Sequence, residues 1–221
     1  MACYKTAVIV TLLLLSACGG LGTKKPVEDT VEAAPESLDP NAPITIIPDP
    51  YLQQSNKAPA AAAEKFKTAI VAMQAEDWAA ASQILQSLIQ NYPDLSGPYV
   101  NLGIVRSHQQ QLEEAETLLK KAIEVNPLNN DAYNQLGVLL REQGRFDEAE
   151  SCYQKALQVW PHSPATLRNL GILYDLYMGK FNEALASYEL ALKVSPEPNT
   201  ELQGWIIDIK RRMADSAGAS S

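Results

Sequence analysis

The chain has few of the side chains on which enzyme active sites and metal centres depend. Its 221 residues include three cysteines and only two histidines, His108 and His162, which lie far apart in the sequence. It has no nucleophile elbow, no His-Glu-x-x-His segment, no phosphate-binding loop and no Cys-x-x-Cys pair. We therefore predict no catalysis, no metal site and no cofactor, since no set of residues has the spacing that these functions need.

Basic residues are also scarce. Eighteen Lys and Arg residues face 26 Asp and Glu residues, so the formal net charge is −8. A nucleic-acid partner needs clustered Lys and Arg, because phosphate neutralisation supplies most of the affinity. The composition therefore excludes nucleic acid as a favoured partner.

Long apolar runs are lacking except at the amino terminus, where Thr6–Leu15 follows Lys5. This run is too short to span a bilayer and is typical of a secretory signal. The residues that follow it, Leu15-Ser16-Ala17-Cys18, resemble the lipobox of bacterial lipoproteins. The resemblance implies removal of residues 1–17 and acylation of Cys18, with palmitate among the chains that anchor the protein to a membrane. An ordinary signal with an incidental cysteine is the alternative.

The residue after Cys18 is Gly19 rather than Asp. By resemblance to enterobacterial sorting rules, this implies an outer-membrane lipoprotein that faces the periplasm. Residues 18–58 contain six prolines and scattered acids, which favour an extended or disordered tether between the lipid and the folded part. Only Ile44–Ile47 interrupts this pattern, and it either adds a strand to a partner or has no role.

A repeat dominates the rest of the chain. Asn101-Leu102-Gly103, Gln135-Leu136-Gly137 and Asn169-Leu170-Gly171 recur every 34 residues. Large apolar residues also recur at one position, where the second helix of each unit is expected to begin, at Trp78, Leu112, Phe146 and Phe181. These positions resemble the tetratricopeptide consensus, which implies an all-α, right-handed solenoid of about four helix-turn-helix repeats plus a C-terminal capping helix.

The repeat positions give the expected boundaries. The array covers 59–198, and its units are 59–95, which is degenerate, 96–129, 130–163 and 164–198. A capping helix follows at 199–215, and residues 216–221 form a disordered tail. Gly144 and Gly179 are 35 rather than 34 residues apart, so the last unit has one extra residue within Asp175–Lys180.

Local signals predict the helix ends and the closest helix contacts. Gly144 and Gly179 mark turns that favour a left-handed residue. Ser163-Pro164 is typical of a helix start, with Ser163 as the cap, and Asn130-Asp131 is expected to start a helix in the same way. The repeated Gly and Ala residues are expected where two helices approach most closely.

In tetratricopeptide arrays the first helix of each unit lines a concave groove. Asn101, Gln135 and Asn169 share one motif position, from which their amides are able to bond an extended peptide backbone. Asn is also frequent at this position for structural reasons, which is the alternative. By the same resemblance, the other candidate groove residues are Ile104, His108, Asn134, Val138, Arg141, Arg168 and Ile172.

Trp160 is a separate candidate, because it precedes Pro161 where the neighbouring units have Asn126 and Ser195. It is either an interface anchor or a cover for the adjacent loop.

The expected function is therefore protein binding in the cell envelope. The chain resembles assembly lipoproteins of type IV and tight-adherence pili, which act with a secretin. It is also similar to periplasmic adaptors that recruit a protease or a peptidoglycan enzyme of the cell wall, and to components of an outer-membrane energy-coupling complex. Self-association through the ends of the array is also open.

Overall fold

The computed structural model describes residues 45–55 and 58–218. The predicted signal peptide at 1–17, the predicted lipidation site Cys18 and most of the predicted tether lie outside the described residues. Within those residues, no helix combines the length and apolar character needed to cross a membrane.

All regular structure in the described part of the chain is helical. A short helix precedes four successive helix pairs and a last helix. The helices are α1 (Pro50–Ser55), α2 (Ala60–Gln74), α3 (Trp78–Asn91), α4 (Ser96–His108), α5 (Leu112–Val125), α6 (Asn130–Glu142), α7 (Phe146–Val159), α8 (Pro164–Ile172) with a π-helical turn (Leu173–Met178), α9 (Phe181–Val194) and α10 (Thr200–Gly218).

The second helix of each pair begins where the sequence predicts it, at Trp78, Leu112, Phe146 and Phe181. Within a pair the two helices pack through a small residue, as expected. A methyl group added to Gly137 would lie 2.6 Å from the Tyr153 ring, and one added to Gly171 would lie 2.4 Å from the Tyr188 ring. Both tyrosines are buried, so these glycines create the space that the rings fill.

The turns between paired helices share one backbone conformation. Gly144 and Gly179 have φ values of +75° and +65°, which confirms the prediction of left-handed residues. The equivalent residues of the first two units, Glu76 and Gln110, also have positive φ values, of +56° and +62°. Residue type offers no signal for these two, because neither is a glycine.

The extra residue of the last unit is accommodated in the π-helical turn Leu173–Met178, which follows α8 without a break. A π turn contains one more residue than the α-helical hydrogen-bonding pattern allows. The Gly179 and Lys180 amides both donate to the carbonyl of Tyr174, which closes the turn. The insertion therefore leaves the packing of α9 unchanged and alters the end of the first helix instead.

Buried side-chain hydrogen bonds link successive units at their loops. Ser163 caps α8 as predicted, and its hydroxyl also donates to Asn130. The expected cap at Asn130 is wrong by one residue, because Asn129 caps α6 and Asn130 is its first residue. The Asn130 amide instead donates to the carbonyl of Ala156 at 2.7 Å, which ties α6 to the end of α7.

The carboxy-terminal end of the array is covered by α10. Leu202, Ile206 and Ile209 of this helix are buried in the main core. The helix continues to Gly218, three residues beyond the expected end at 215, so the prediction of a disordered tail is wrong for residues 216–218. No proline or other helix-breaking residue follows Asp215 within Ser216–Gly218 apart from the final glycine, so the helical hydrogen bonds continue.

The expectation that residues 18–58 form an extended or disordered tether is also wrong for residues 50–55, which are helical. Pro50 begins α1, and the side chain of Asp49 accepts a hydrogen bond from the Tyr51 amide at 2.8 Å. Proline is favoured at the first position of a helix after an aspartate cap. The prolines in this stretch therefore start a helix rather than prevent one.

Candidate protein-binding groove

The first helices of successive units lie side by side, with α4 against α6 and α6 against α8. Between α4 and α6 the inner surface forms a cavity of about 420 Å³. Four of the predicted groove residues line it, namely Ile104, His108, Gln135 and Val138. The cavity combines apolar side chains with the amide residues Gln110, Gln135 and Gln143. This mixture is suited to an extended peptide, which offers apolar side chains and a polar backbone.

The three amides predicted to bond a peptide backbone, those of Asn101, Gln135 and Asn169, are not equivalent in the structure. The Asn101 amide donates to the carbonyl of Gly97 in its own helix at 3.0 Å. Asn169 is 7% exposed and donates at 3.0 Å to Asn134, which is 3% exposed. Of the three, Gln135 alone lines the cavity. Asn134 and Asn169 thus join α6 to α8, a contact that repeat spacing does not reveal.

Two other predicted groove residues, His108 and Arg168, differ in their surroundings. The His108 ring stacks on Trp78 with ring centroids 4.2 Å apart and an interplanar angle of 10°. This contact fixes the imidazole at one end of the cavity. Arg168 on α8 is exposed. Among the residues described, no group of three metal-ligating side chains is close enough to hold an ion.

A second cavity, of about 360 Å³, lies where the π-helical turn meets the capping helix. The predicted residue Ile172 lines it together with Leu176, Trp205 and Arg212. Arg212 forms an ion pair of 2.5 Å with Asp175, whose side chain is 7% exposed. Sequence reasoning missed Leu176 and Arg212, although the extra residue within Asp175–Lys180 was a signal that this turn differs from the others.

Arg141 lies on α6 one turn beyond Val138. Its guanidinium carbon is 5.9 Å from the centre of the Tyr177 ring, which itself packs at 5.0 Å against Phe146. Tyr177 belongs to the π-helical turn. The third and fourth units therefore meet around this arginine.

Trp160 contacts the segment that precedes the array. Its indole N–H donates to the carbonyl of Ile47 at 2.7 Å, and the amide of Ile47 donates to Nδ1 of His162 at 2.8 Å. The two side chains thus bind both polar groups of one extended residue. The side chains of Ile46 and Ile47 remain 55% and 46% exposed. Neither of the two roles expected for Trp160 included this contact.

Charged pairs also join successive units. Glu116 on α5 pairs with Arg145 at 2.6 Å, and the hydrogen bond from Arg145 is the main cause of the lowered pKa of Glu116. Glu150 on α7 pairs with Lys180 at 2.9 Å. Burial alone would raise the pKa of Glu150, but hydrogen bonds from Lys180 and Tyr174 lower it overall.

Two tetratricopeptide-repeat family models match the chain, one over residues 72–139 and the other over residues 128–197. Residues 72–197 belong to the tetratricopeptide-repeat family. The family agrees with the four helix pairs, and the predicted all-α solenoid is confirmed. No catalytic family is indicated by these matches, and tetratricopeptide proteins generally act as scaffolds for protein–protein interaction.

The tetratricopeptide array is similar to several solved structures. One is TTC0263, a thermophilic TPR protein of Thermus thermophilus, with 25% identity, a TM-score of 0.61 and coverage of 72% of this chain and 84% of that one. Another is pilF of Pseudomonas aeruginosa, with 20% identity, a TM-score of 0.64 and coverage of 72% of both chains. A third is MamA of Desulfovibrio magneticus RS-1, with 15% identity, a TM-score of 0.57 and coverage of 73% and 90%. No curated protein sequence matches the chain.

Proposed function

We propose that this tetratricopeptide protein is a lipid-anchored scaffold in the bacterial envelope, and that it binds an extended segment of a partner protein in the groove between α4 and α6. The cavity of about 420 Å³ carries the proposal, because it gathers Ile104, His108, Gln135 and Val138 on the inner face. These side chains supply apolar contacts and one amide that is able to pair with a peptide backbone.

The location of the scaffold rests on the amino-terminal residues. Thr6–Leu15 and the following Leu15-Ser16-Ala17-Cys18 are typical of a lipoprotein signal, and Gly19 favours the outer membrane. The array would then face the periplasm, where secretins, proteases and peptidoglycan enzymes are accessible.

The preferred pathway is assembly of a type IV or tight-adherence pilus with its secretin. The sequence resembles assembly lipoproteins of those systems, and pilF of Pseudomonas aeruginosa is among the structures with the same fold. Recruitment of a protease or a cell-wall enzyme, and a place in an energy-coupling complex, are the alternative roles of the same scaffold.

The groove is tested by affinity capture from detergent-solubilised envelopes, with the full chain as bait. The test variant combines Ile104→Ala with Gln135→Ala on the groove. The control combines Ile123→Ala on α5 with Gln158→Ala on α7, because Ile123 is also partly buried and Gln158 is also polar. We expect a secretin, protease or wall enzyme to be captured by the wild type and the control but not by the groove variant. Equal capture by both variants would place binding elsewhere.

The anchor is tested by labelling cells with radioactive palmitate. The wild-type chain is expected to incorporate label and to fractionate with outer membranes. Cys18→Ser is expected to lose the label and to leave the membrane fraction. Cys152→Ser is the matched control, because it removes the thiol in α7 and leaves the lipobox intact. Labelling of Cys18→Ser would contradict the lipid anchor.

A further inference from the structure

Arg141, a half-buried residue of α6, is unusual among the arginines of the array. Three arginines, Arg106, Arg141 and Arg212, have buried guanidinium nitrogens that lack a hydrogen-bond partner of good geometry. Arg106 has Glu114 at 2.8 Å, and Arg212 has Asp175 at 2.5 Å. Arg141 has no carboxylate within ion-pair distance in the part of the chain that the structure describes. Both its Nε and its Nη1 are buried without a partner.

A second unpaired polar group lies beside it. Tyr153 is 0% exposed, and its hydroxyl has no hydrogen-bond partner among the described residues. The ring of Tyr153 lies against Gly137, which is one helical turn before Arg141 on the same face of α6. Burial raises the pKa of the Tyr153 hydroxyl, and the positive charge of Arg141 opposes part of that rise. Donors from two helices are therefore close together.

The local carboxylates are already bound. Asp175 accepts from Arg212, and one of its oxygens is 3.4 Å from the hydroxyl of Tyr188. The junction between the third and fourth units thus has two guanidinium groups and two carboxylates, Asp175 and the half-exposed Asp208. Both carboxylates pair with Arg212 rather than with Arg141. Buried donors are nearly always paired, so an arginine left over in a chain of net charge −8 indicates a missing anionic partner.

The π-helical turn contributes an aromatic ring beside Arg141, whose guanidinium has no ion-pair partner among the described residues. Its extra residue brings Tyr177 over the guanidinium of Arg141, at 5.9 Å, while the same turn leaves Leu176 65% exposed and Tyr177 47% exposed. An aromatic ring orients a cation without neutralising it. Inserted π turns occur often at functional sites. Leu176 and Tyr177 form an apolar rim, which is suited to the residues on either side of an acidic residue in a partner.

We propose that Arg141, the Tyr153 hydroxyl and the Tyr177 ring form a binding site for an Asp or Glu side chain of a polypeptide lying along the inner face. This inference rests on the proposed protein-binding function and specifies one contact within it. Arg141 supplies planar donors that match a carboxylate, and Tyr153 supplies a third donor. The cavities lined by Val138 and by Ile172 would hold neighbouring apolar residues of the same polypeptide.

The test uses the full chain and two capped pentapeptides, acetyl-Ala-Leu-Glu-Leu-Ala-amide and its counterpart with Gln in place of Glu. Binding is followed through the ¹H–¹⁵N signal of the Arg141 Nε–H group in NMR titrations at constant ionic strength. We expect the Glu peptide to shift this signal and to bind at least about tenfold more tightly than the Gln peptide, because the buried charge pairs only with the carboxylate. Equal affinity of the two peptides would overturn the proposal.

Variants separate a binding role from a structural one. Arg141→Met and Tyr153→Phe are expected to abolish the preference for Glu while leaving the Tm unchanged or raising it, because each removes an unpaired buried polar group. Arg211→Met is the matched control, since the Arg211 side chain is 71% exposed. A clear fall in Tm for Arg141→Met would show that the arginine stabilises the fold, and would overturn the proposal.

Three further results distinguish a peptide site from a small-anion site, and failure of the carboxylate site from failure of the proposed groove. Acetate or phosphate giving the same response as the Glu peptide at equal concentration would reduce the site to a small-anion site and contradict the proposal. If the Glu peptide shows no preference but the groove variant still loses its envelope partner, the scaffold function stands and the carboxylate site fails. If the groove variant retains its partner while the Glu preference is observed, the site stands and the position of the groove is wrong.

Discussion

The two halves of the array solve the same packing problem with different residues. In the third and fourth units, tyrosine rings fill the space above Gly137 and Gly171, and the turns have glycine at the left-handed position. The second unit has Leu119 above Gly103, and the first two turns have Glu76 and Gln110 at positive φ. The later half therefore combines larger buried side chains with less backbone strain.

The two ends of the array also differ in how much apolar side chain they bury. At the carboxy-terminal end, α10 buries Leu202, Ile206 and Ile209 against the main core. The first helix of the first unit, α2, is rich in alanine, packs into a separate, smaller core, and leaves Val71 62% exposed. In a solenoid each unit contacts only its neighbours, so stability varies along the chain with the quality of each interface. We expect the first unit to open before the last.

The largest expected effect separates the two ends. Ile209→Ala removes a fully buried side chain under the last unit and is expected to cost about 3 kcal/mol, within the usual range for such cavities. Val71→Ala on α2 is the matched change and is expected to cost under about 0.5 kcal/mol, because Val71 is mostly exposed. Urea unfolding monitored by circular dichroism measures both. Equal costs would remove the contrast between the ends.

The next effect tests the helix contacts. Gly137→Ala forces a methyl group to within 2.6 Å of the rigid Tyr153 ring, and overpacking of this kind costs about 1–3 kcal/mol. Gly103→Ala meets the more adaptable Leu119 at 2.9 Å, so the clash is smaller. The gain of about 1 kcal/mol in helix propensity, which both substitutions share, then offsets more of it. We expect a loss of about 2 kcal/mol for Gly137→Ala and under about 1 kcal/mol for Gly103→Ala.

The control for that prediction is a double-mutant cycle. Replacing Tyr153 with Leu gives unit three the side chain that unit two has at Leu119. In the Tyr153→Leu background, the cost of Gly137→Ala in urea unfolding is expected to fall to that of Gly103→Ala. An undiminished cost would mean that the ring is not what excludes the methyl group.

Repetition determined what could be predicted from the sequence. The starts of the second helices at Trp78, Leu112, Phe146 and Phe181, and the left-handed turns at Gly144 and Gly179, follow from local residue types that recur at a fixed period. Local signals also carried the cap at Ser163. These features depend on residues close in sequence.

The features that the sequence did not reveal depend on contacts between units. The bond between Asn169 and Asn134 turns two predicted groove amides into a buried link. The pairing of Ile47 with Trp160 and His162 joins residues more than a hundred positions apart. The spacing of Gly144 and Gly179 located the extra residue, but not the π-helical turn or the position of Tyr177 over Arg141. Neither of these two polar contacts recurs at the repeat period, so the repeat pattern does not predict them.

Acid is expected to weaken the later junctions selectively. Arg145 lowers the folded-state pKa of Glu116, and burial opposes this shift. At Glu150 burial is the largest single effect and raises the pKa, but Lys180 and Tyr174 together lower it overall. A lowered pKa contributes stability above the ordinary value of 4.5, and that stability is lost as the pH falls below it through the folded value.

Glu150→Gln tests this pH dependence in urea unfolding between about pH 7 and about pH 3.5. We expect a loss of about 1 kcal/mol at pH 7 that shrinks as the pH falls below 4.5. Glu142→Gln on α6 is the matched control, because Glu142 is exposed and forms no ion pair within the described residues. A constant difference across the whole range would exclude the ionised pair as its cause.

The smallest effect concerns the turns, and it tests the proposed strain directly. An L-residue in the left-handed region costs roughly 1 kcal/mol, and a methyl group added to Gly144 meets no atom within 4 Å, so the backbone alone sets the penalty. We expect Gly144→Ala to lose about 1 kcal/mol. Gln110→Gly relieves the same strain but increases the freedom of the unfolded chain, so a gain of about 0.5 kcal/mol is expected. If Gln110→Gly destabilises the array in urea unfolding, its earlier half is not strained at this turn, and the difference between the halves then lies in the tyrosine contacts and the capping helix.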